Sequence, residues 1–120
     1  MSSVIIKNDV VFSFGADCKV KAWSIPNNEF KYEIMHGNAV CDIVIGRKGT
    51  PLANQLVSFS NKICRISNLE TGTEIERIYL DGPVLSMAVD NSQTMIAIGT
   101  EKNLVFIETM FFYKVTKVAL

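Results

Sequence analysis

The stretch Ser13-Phe14-Gly15-Ala16-Asp17-Cys18-Lys19-Val20-Lys21-Ala22-Trp23-Ser24 returns, class for class, as Ala97-Ile98-Gly99-Thr100-Glu101-Lys102-Asn103-Leu104-Val105-Phe106-Ile107-Glu108. The shift is about 84 residues, which is about two periods of 42. Between the two lies a third copy, Ser58-Phe59-Ser60-Asn61-Lys62-Ile63-Cys64-Arg65-Ile66-Ser67, shortened at its tight turn. Each copy joins two apolar-rich runs through polar turn residues, so the repeating element is a hairpin inside a longer unit.

Alternation, β-branched residues and turn residues extend each hairpin to four strands, A to D. The first unit places them near 2–6, 10–15, 18–24 and 29–35, with Asn8-Asp9 turning A into B. In the second they fall at 39–45, 55–60, 63–67 and 73–79. There Arg47-Lys48-Gly49-Thr50-Pro51 forms a longer A to B loop, and Glu70-Thr71-Gly72 makes the C to D turn. Asn61-Lys62 fits a two-residue hairpin, with Asn61 taking the positive φ that asparagine tolerates. The third unit occupies 84–89, 94–99, 103–108 and 111–118, with Asp90-Asn91-Ser92-Gln93 as its first turn.

No stretch has a sustained helical period. Strands A and B are mainly apolar (Val40, Ile43, Val44, Ile45; Met95, Ile96, Ala97, Ile98), as for strands covered on both faces. Strand D alternates strictly, as in Phe30-Lys31-Tyr32-Glu33-Ile34, and its charges suit an outer edge. Four short strands repeating every 40 to 45 residues or so specify an all-β, partial β-propeller. Its three consecutive four-stranded antiparallel blades span about 1–35, 36–80 and 81–120.

Composition narrows function by exclusion. Of 120 residues, 48% are hydrophobic and 20% charged, enough apolar material for a core. Twelve basic side chains balance twelve acidic ones, so attraction to a phosphate backbone has no net source and nucleic acid is not a favoured partner. The opening MSSVIIKNDV lacks the apolar core of a secretory signal, and no run reaches the roughly 20 apolar residues that span a bilayer. Cys18, Cys41 and Cys64 are odd in number and have no metal-ligand spacing. They read as buried or half-buried free thiols in a reducing compartment, the cytoplasm or the nucleus.

Chemistry would need ionisable groups gathered in one cleft. His36 is the single histidine, which excludes a triad or a polyhistidine metal site within this chain and favours a structural hydrogen-bonding role. Asp17, Asp42, Asp81, Asp90 and Glu101 are scattered over the units, and turn capping is the expected role of Asp17 and Glu101. Gly46-Arg47-Lys48-Gly49-Thr50 has part of a phosphate-loop composition, but Pro51 follows at once and no helix does, which leaves a solvated hairpin. Trp23, at the end of a C strand, reads as a packing residue. Phe111-Phe112-Tyr113 fits blade core and a seam for a partner blade equally well. No catalytic residue, cofactor or metal site is expected, and the chain does not read as an enzyme.

Ser13-x-Gly15-x-Asp17-x-x-Val20-x-x-Trp23-Ser24 resembles the second half of a WD repeat, which ends in Trp-Asp after a turn aspartate. His36-Gly37-Asn38-Ala39-Val40 resembles the Gly-His and apolar strand that open one, with the first two residues in reversed order. The resemblance covers the chain as three units. It implies a buried relay linking a histidine, a turn aspartate, a strand serine and a tryptophan. The first unit keeps Ser13, Asp17 and Trp23, and the second keeps His36 and Ser58. Ser24, Ser67 and Glu108 replace the terminal aspartate, and Ile66 and Ile107 replace the tryptophan. Since no unit holds the whole relay, packing is expected to hold the blades.

What the resemblance implies for function is a scaffold that binds other proteins through its B to C and D to A loops. Those loops carry Asp17, His36, Lys62, Asp81, Glu101 and Lys102. Propellers close with about four to eight blades, so three leave two sheet faces to be covered. Further chain of a longer protein, a second copy completing a six-bladed ring, or blades from a partner would each do so. A fragment of a propeller enzyme, with its acids or ligands on other blades, is the remaining alternative.

Overall fold

A computed structural model describes residues 2–110 and 113–119. Twelve strands follow one another: β1 (Ser2–Lys7), β2 (Val10–Gly15), β3 (Lys19–Ser24), β4 (Glu29–Met35), β5 (Val40–Ile45), β6 (Gln55–Ser60), β7 (Ile63–Asn68), β8 (Glu74–Tyr79), β9 (Ser86–Val89), β10 (Met95–Gly99), β11 (Asn103–Glu108) and β12 (Lys114–Ala119). They form three antiparallel sheets, ordered β1-β2-β3-β4, β5-β6-β7-β8 and β9-β10-β11-β12. The chain is thus all-β, with three propeller-like blades and no closed sheet among the described residues. No helix among the described residues is long and apolar enough to cross a membrane.

The repeat extends to backbone detail. A register shift falls between Ala22 and Trp23 where β3 pairs with β4, and again between Ile66 and Ser67 where β7 pairs with β8. Asn8 and Asp9, at φ 50° and 62°, make the tight β1–β2 turn expected of them. In the two-residue hairpin after β6 the positive φ of 68° belongs to Lys62 and not to Asn61, so the expectation for Asn61 is corrected. Cys18, at φ 66°, holds the same place in the first sheet. Gly72, at φ 76°, turns β7 into β8, and its Cα lies so close to the Tyr32 ring that a Cβ would stand 2.5 Å from it.

Two apolar seams hold the stack together. Phe12, Phe14, Val20, Ala22, Tyr32 and Ile34 of the first sheet pack on Val40, Ile43, Ile45 and Leu56 of the second. The opposite face of the second sheet, with Val57, Phe59, Cys64, Ile66 and Ile78, packs on Ile96, Ile98, Val105 and Ile107 of the third. Among the described residues, only the middle sheet is covered on both faces. Strand β6 is accordingly buried from Leu56 to Ser60, whereas β1 and β9 are largely exposed. The expectation that A strands are enclosed therefore fails for β1 and β9, because enclosure needs a neighbour on each side.

The A to B loop of the second sheet exposes Arg47, Lys48 and Gly49 to solvent, as expected, but is anchored at both ends. Leu52 drops fully buried into the second seam, and the chain passes so tightly beneath it that a Cβ on Gly46 would stand 1.6 Å from the Leu52 carbonyl oxygen. Gln93 of the third sheet clamps this loop. Its Oε1 accepts from the Arg47 N–H at 2.8 Å and the Thr50 hydroxyl at 2.9 Å, and its Nε2 donates to the Ile45 carbonyl at 3.2 Å. Tyr113 donates its hydroxyl to Gln55 across the same seam. The neighbouring positions 111 and 112 of the expected aromatic run lie outside the described residues.

Candidate interaction surface

The B to C turns and D to A loops emerge at one end of the stack, and a repeated backbone bond ties them in pairs. The His36 N–H donates to the Cys18 carbonyl at 2.8 Å, and the Leu80 N–H donates to the Lys62 carbonyl at 2.7 Å. In both, the acceptor is the turn residue held at positive φ. A hairpin tip and the loop that leaves the sheet are thereby fixed to each other, which makes this end a platform of set geometry.

Five of the six residues implied by the WD-repeat resemblance stand exposed on this platform: Asp17, Lys62, Asp81, Glu101 and Lys102. Asp17 accepts from the Lys19 N–H at 3.3 Å, in the capping role expected of it, and lies 4.0 Å from Lys21 Nζ. Glu101 does not cap its turn. Thr100 does so, its hydroxyl oxygen accepting from the N–H groups of Lys102 and Asn103 at 3.2 and 3.1 Å. A buried hydroxyl one residue earlier reaches the turn amides, which frees the exposed carboxylate. Asp81 joins the D to A loop to the third sheet, accepting from Asn103 Nδ2 at 3.0 Å and Lys117 Nζ at 3.1 Å. These donors hold its carboxyl below the usual carboxylate range.

The sixth residue, His36, is a correction. Its ring is 2% exposed and faces inward, so it supports the platform from beneath and offers nothing to a partner. Nε2 lies 2.7 Å from Ser58 Oγ and Nδ1 2.7 Å from Ser60 Oγ, both serines being fully buried. One ring nitrogen donates and the other accepts, so the neutral imidazole satisfies both hydroxyls. Burial, reinforced by the Arg65 and Arg77 guanidinium groups and opposed by Glu74, pushes its pKa down to about 4. Ser60 was not singled out in the sequence, although it is the third residue of the run Ser58-Phe59-Ser60 and shares a face with Ser58 by strand alternation. Beside the relay, Arg65 Nε and Ser67 Oγ are buried without a partner among the described residues.

Trp23 departs from its expected role as a packing residue. Its indole is 41% exposed on the outer face of the first sheet and meets Phe30 edge to face at 5.0 Å between ring centroids. Ile6, Val11, Trp23 and Phe30 pair in register across β1 to β4 and form one apolar row. Cys41 is exposed rather than buried, Cys18 is half-buried, and Cys64 is buried with its thiol pKa driven well up by desolvation. No group of three or more His, Cys, Asp or Glu side chains that could hold a metal ion occurs among the described residues. A scan against protein-family models gives no match, and a search of curated proteins gives none.

Proposed function

We propose that the chain is a protein-interaction module, part of a WD-repeat-like propeller that presents the platform to other proteins in the cytoplasm or nucleus. The observation that carries this reading is the repeated turn-to-loop hydrogen bond, Cys18 with His36 and Lys62 with Leu80, beneath exposed charges of both signs. A rigid array of this kind binds without large loss of loop entropy, and mixed charges select a partner by electrostatic complementarity. The His36–Ser58 bond supports the WD-repeat kinship, since it joins two of the residue types that such a relay uses.

The test reverses the charges of Asp17, Lys62, Glu101 and Lys102 together and leaves the structurally engaged Asp81 alone. Proteins retained by the wild-type chain in a quantitative pull-down are lost from this variant, whose circular dichroism is unchanged. An identical set of retained proteins refutes the mapping.

The apolar outer row Ile6–Val11–Trp23–Phe30 favours a second reading, closure of a six-bladed ring by two copies. Val4, Ile6 and Val11 occupy the register places that Ile43, Ile45 and Leu56 fill in the second sheet, where they are buried in a seam. On the outer face of the third sheet Ala88, Leu104 and Val118 are exposed as well. A stable species of twice 13.3 kDa in solution supports the ring, and a monodisperse monomer rejects it.

A further inference from the structure

At the end of the stack opposite the platform, two adjoining clefts open where the first and second sheets meet. One, of about 300 Å³, has an apolar floor of Val10, Phe12, Ile45 and Leu69. The other, of about 370 Å³, is bordered by Lys7, Arg47 and Lys48. Lys7, Asn8, Leu69 and Glu70 line both, so the two clefts are one continuous groove. Its combined size reaches the range of sites that hold a small ligand or a few side chains.

Charge in the groove is unbalanced. Glu70 is already paired with Lys31 at 3.5 Å, whereas Lys7, Arg47 and Lys48 have no carboxylate within 4.0 Å among the described residues. Asp9, an exposed turn residue at the edge of the apolar cleft, is the remaining anion. The excess is positive, in a chain whose net charge is zero.

We infer that this groove docks an acidic peptide segment of a partner protein, with an apolar side chain on the Phe12–Ile45–Leu69 floor and carboxylates against Arg47, Lys48 and Lys7. Carboxylate fits better than phosphate for a structural reason. A phosphate cradle depends on free backbone N–H groups. Here three of the five amides from Gly46 to Thr50 are engaged, leaving those of Lys48 and Gly49: the Gly46 N–H donates to the Gln55 carbonyl at 2.9 Å, that of Arg47 to Gln93, and that of Thr50 to the Arg47 carbonyl at 3.3 Å. Side-chain cations are the larger part of what the loop offers, and the arginine fork matches a carboxylate with two parallel bonds. The Gln93 clamp and the buried Leu52 hold the loop in place before any ligand arrives, which lowers the entropy lost on docking. This surface is distinct from the platform, so its test stands apart from that of the proposed function.

The experiment is fluorescence anisotropy on the full chain, with a labelled peptide of alternating glutamate and leucine as probe. The expected result is saturable binding that weakens as salt is raised and falls roughly tenfold in an Arg47→Glu/Lys48→Glu variant, as two lost exposed ion pairs would produce. Lys62→Glu, at the other end of the stack, leaves binding unchanged. Both substitutions lie at exposed positions, and unaltered circular dichroism shows that the fold is kept. Failure to saturate, equal binding of a lysine–leucine peptide, or equal binding by the Arg47/Lys48 variant overturns the inference. A clear preference for a phosphoserine–leucine peptide overturns it too, because the ligand is then a phosphate.

Discussion

Replacing His36 probes the polar centre of the stack. Its ring lies 2.7 Å from each of two buried hydroxyls, and truncation to alanine removes both bonds at once. Each hydroxyl left unsatisfied costs about 1–3 kcal/mol, so His36→Ala is expected to destabilise by about 2–6 kcal/mol. That is a large share of the roughly 5–15 kcal/mol that holds a domain together. A titration gives a more selective reading. The unfolded chain takes up a proton at the ordinary histidine value of 6.5, while the folded chain refuses it until about 4. The contribution is therefore full above 6.5 and is lost as pH falls from there toward 4. Between about pH 7.5 and about pH 5 the loss comes to about 2 kcal/mol, taking about 1.36 kcal/mol per unit. Urea unfolding at both pH values compares the wild type with His36→Gln, which keeps an amide donor and acceptor but does not titrate. The wild type should lose about 2 kcal/mol more than the variant across this window. Carboxylates held low away from His36, such as Asp90 and Asp81, shed stability at lower pH and do so in both proteins. Equal pH slopes would refute the assignment of a neutral, buried His36.

Three further outcomes follow from the packing. Gly46→Ala drives a Cβ into the Leu52 carbonyl and should cost about 1–3 kcal/mol by thermal unfolding, while Gly37→Ala, with nothing within 4 Å of its Cβ, stays near neutral. Phe59→Ala, in the fully buried centre of the second seam, should cost about 3–5 kcal/mol in urea; a loss below about 1 kcal/mol would show that the second and third sheets do not pack there. Alkylation followed by peptide mass spectrometry should label exposed Cys41 in the native chain and reach Cys64 only on unfolding; early labelling of Cys64 would contradict the seam.

Strand identity was legible because turn chemistry and alternation are local. Asn8-Asp9 and Gly72 announce their turns by residue type, and each of the twelve strands overlaps the run read for it, although β9 begins at Ser86 instead of 84 and β12 at Lys114, after Tyr113 in a turn at φ 56°. The positive φ at Cys18 and Lys62 carries no such signal, since neither residue type favours it. Of the platform residues, Asp17, Lys62, Asp81, Glu101 and Lys102 were placed by their turns, whereas the inward aim of His36 depends on Ser58 and Ser60 across the sheet. The groove could not be read at all, because Lys7 and Arg47 meet only when two sheets stack.

The residues alone determined three hairpin-based units of four strands, because hydrogen-bonding partners within each sheet are near neighbours along the chain. Only the tertiary structure decided which apolar residues are covered. Val4 and Ile6 match Ile43 and Ile45 in chemistry and register, yet the first pair is 62% and 67% exposed and the second 5% and 9%. Burial is a property of what lies across a sheet face, and that neighbour comes from a different unit of the repeat.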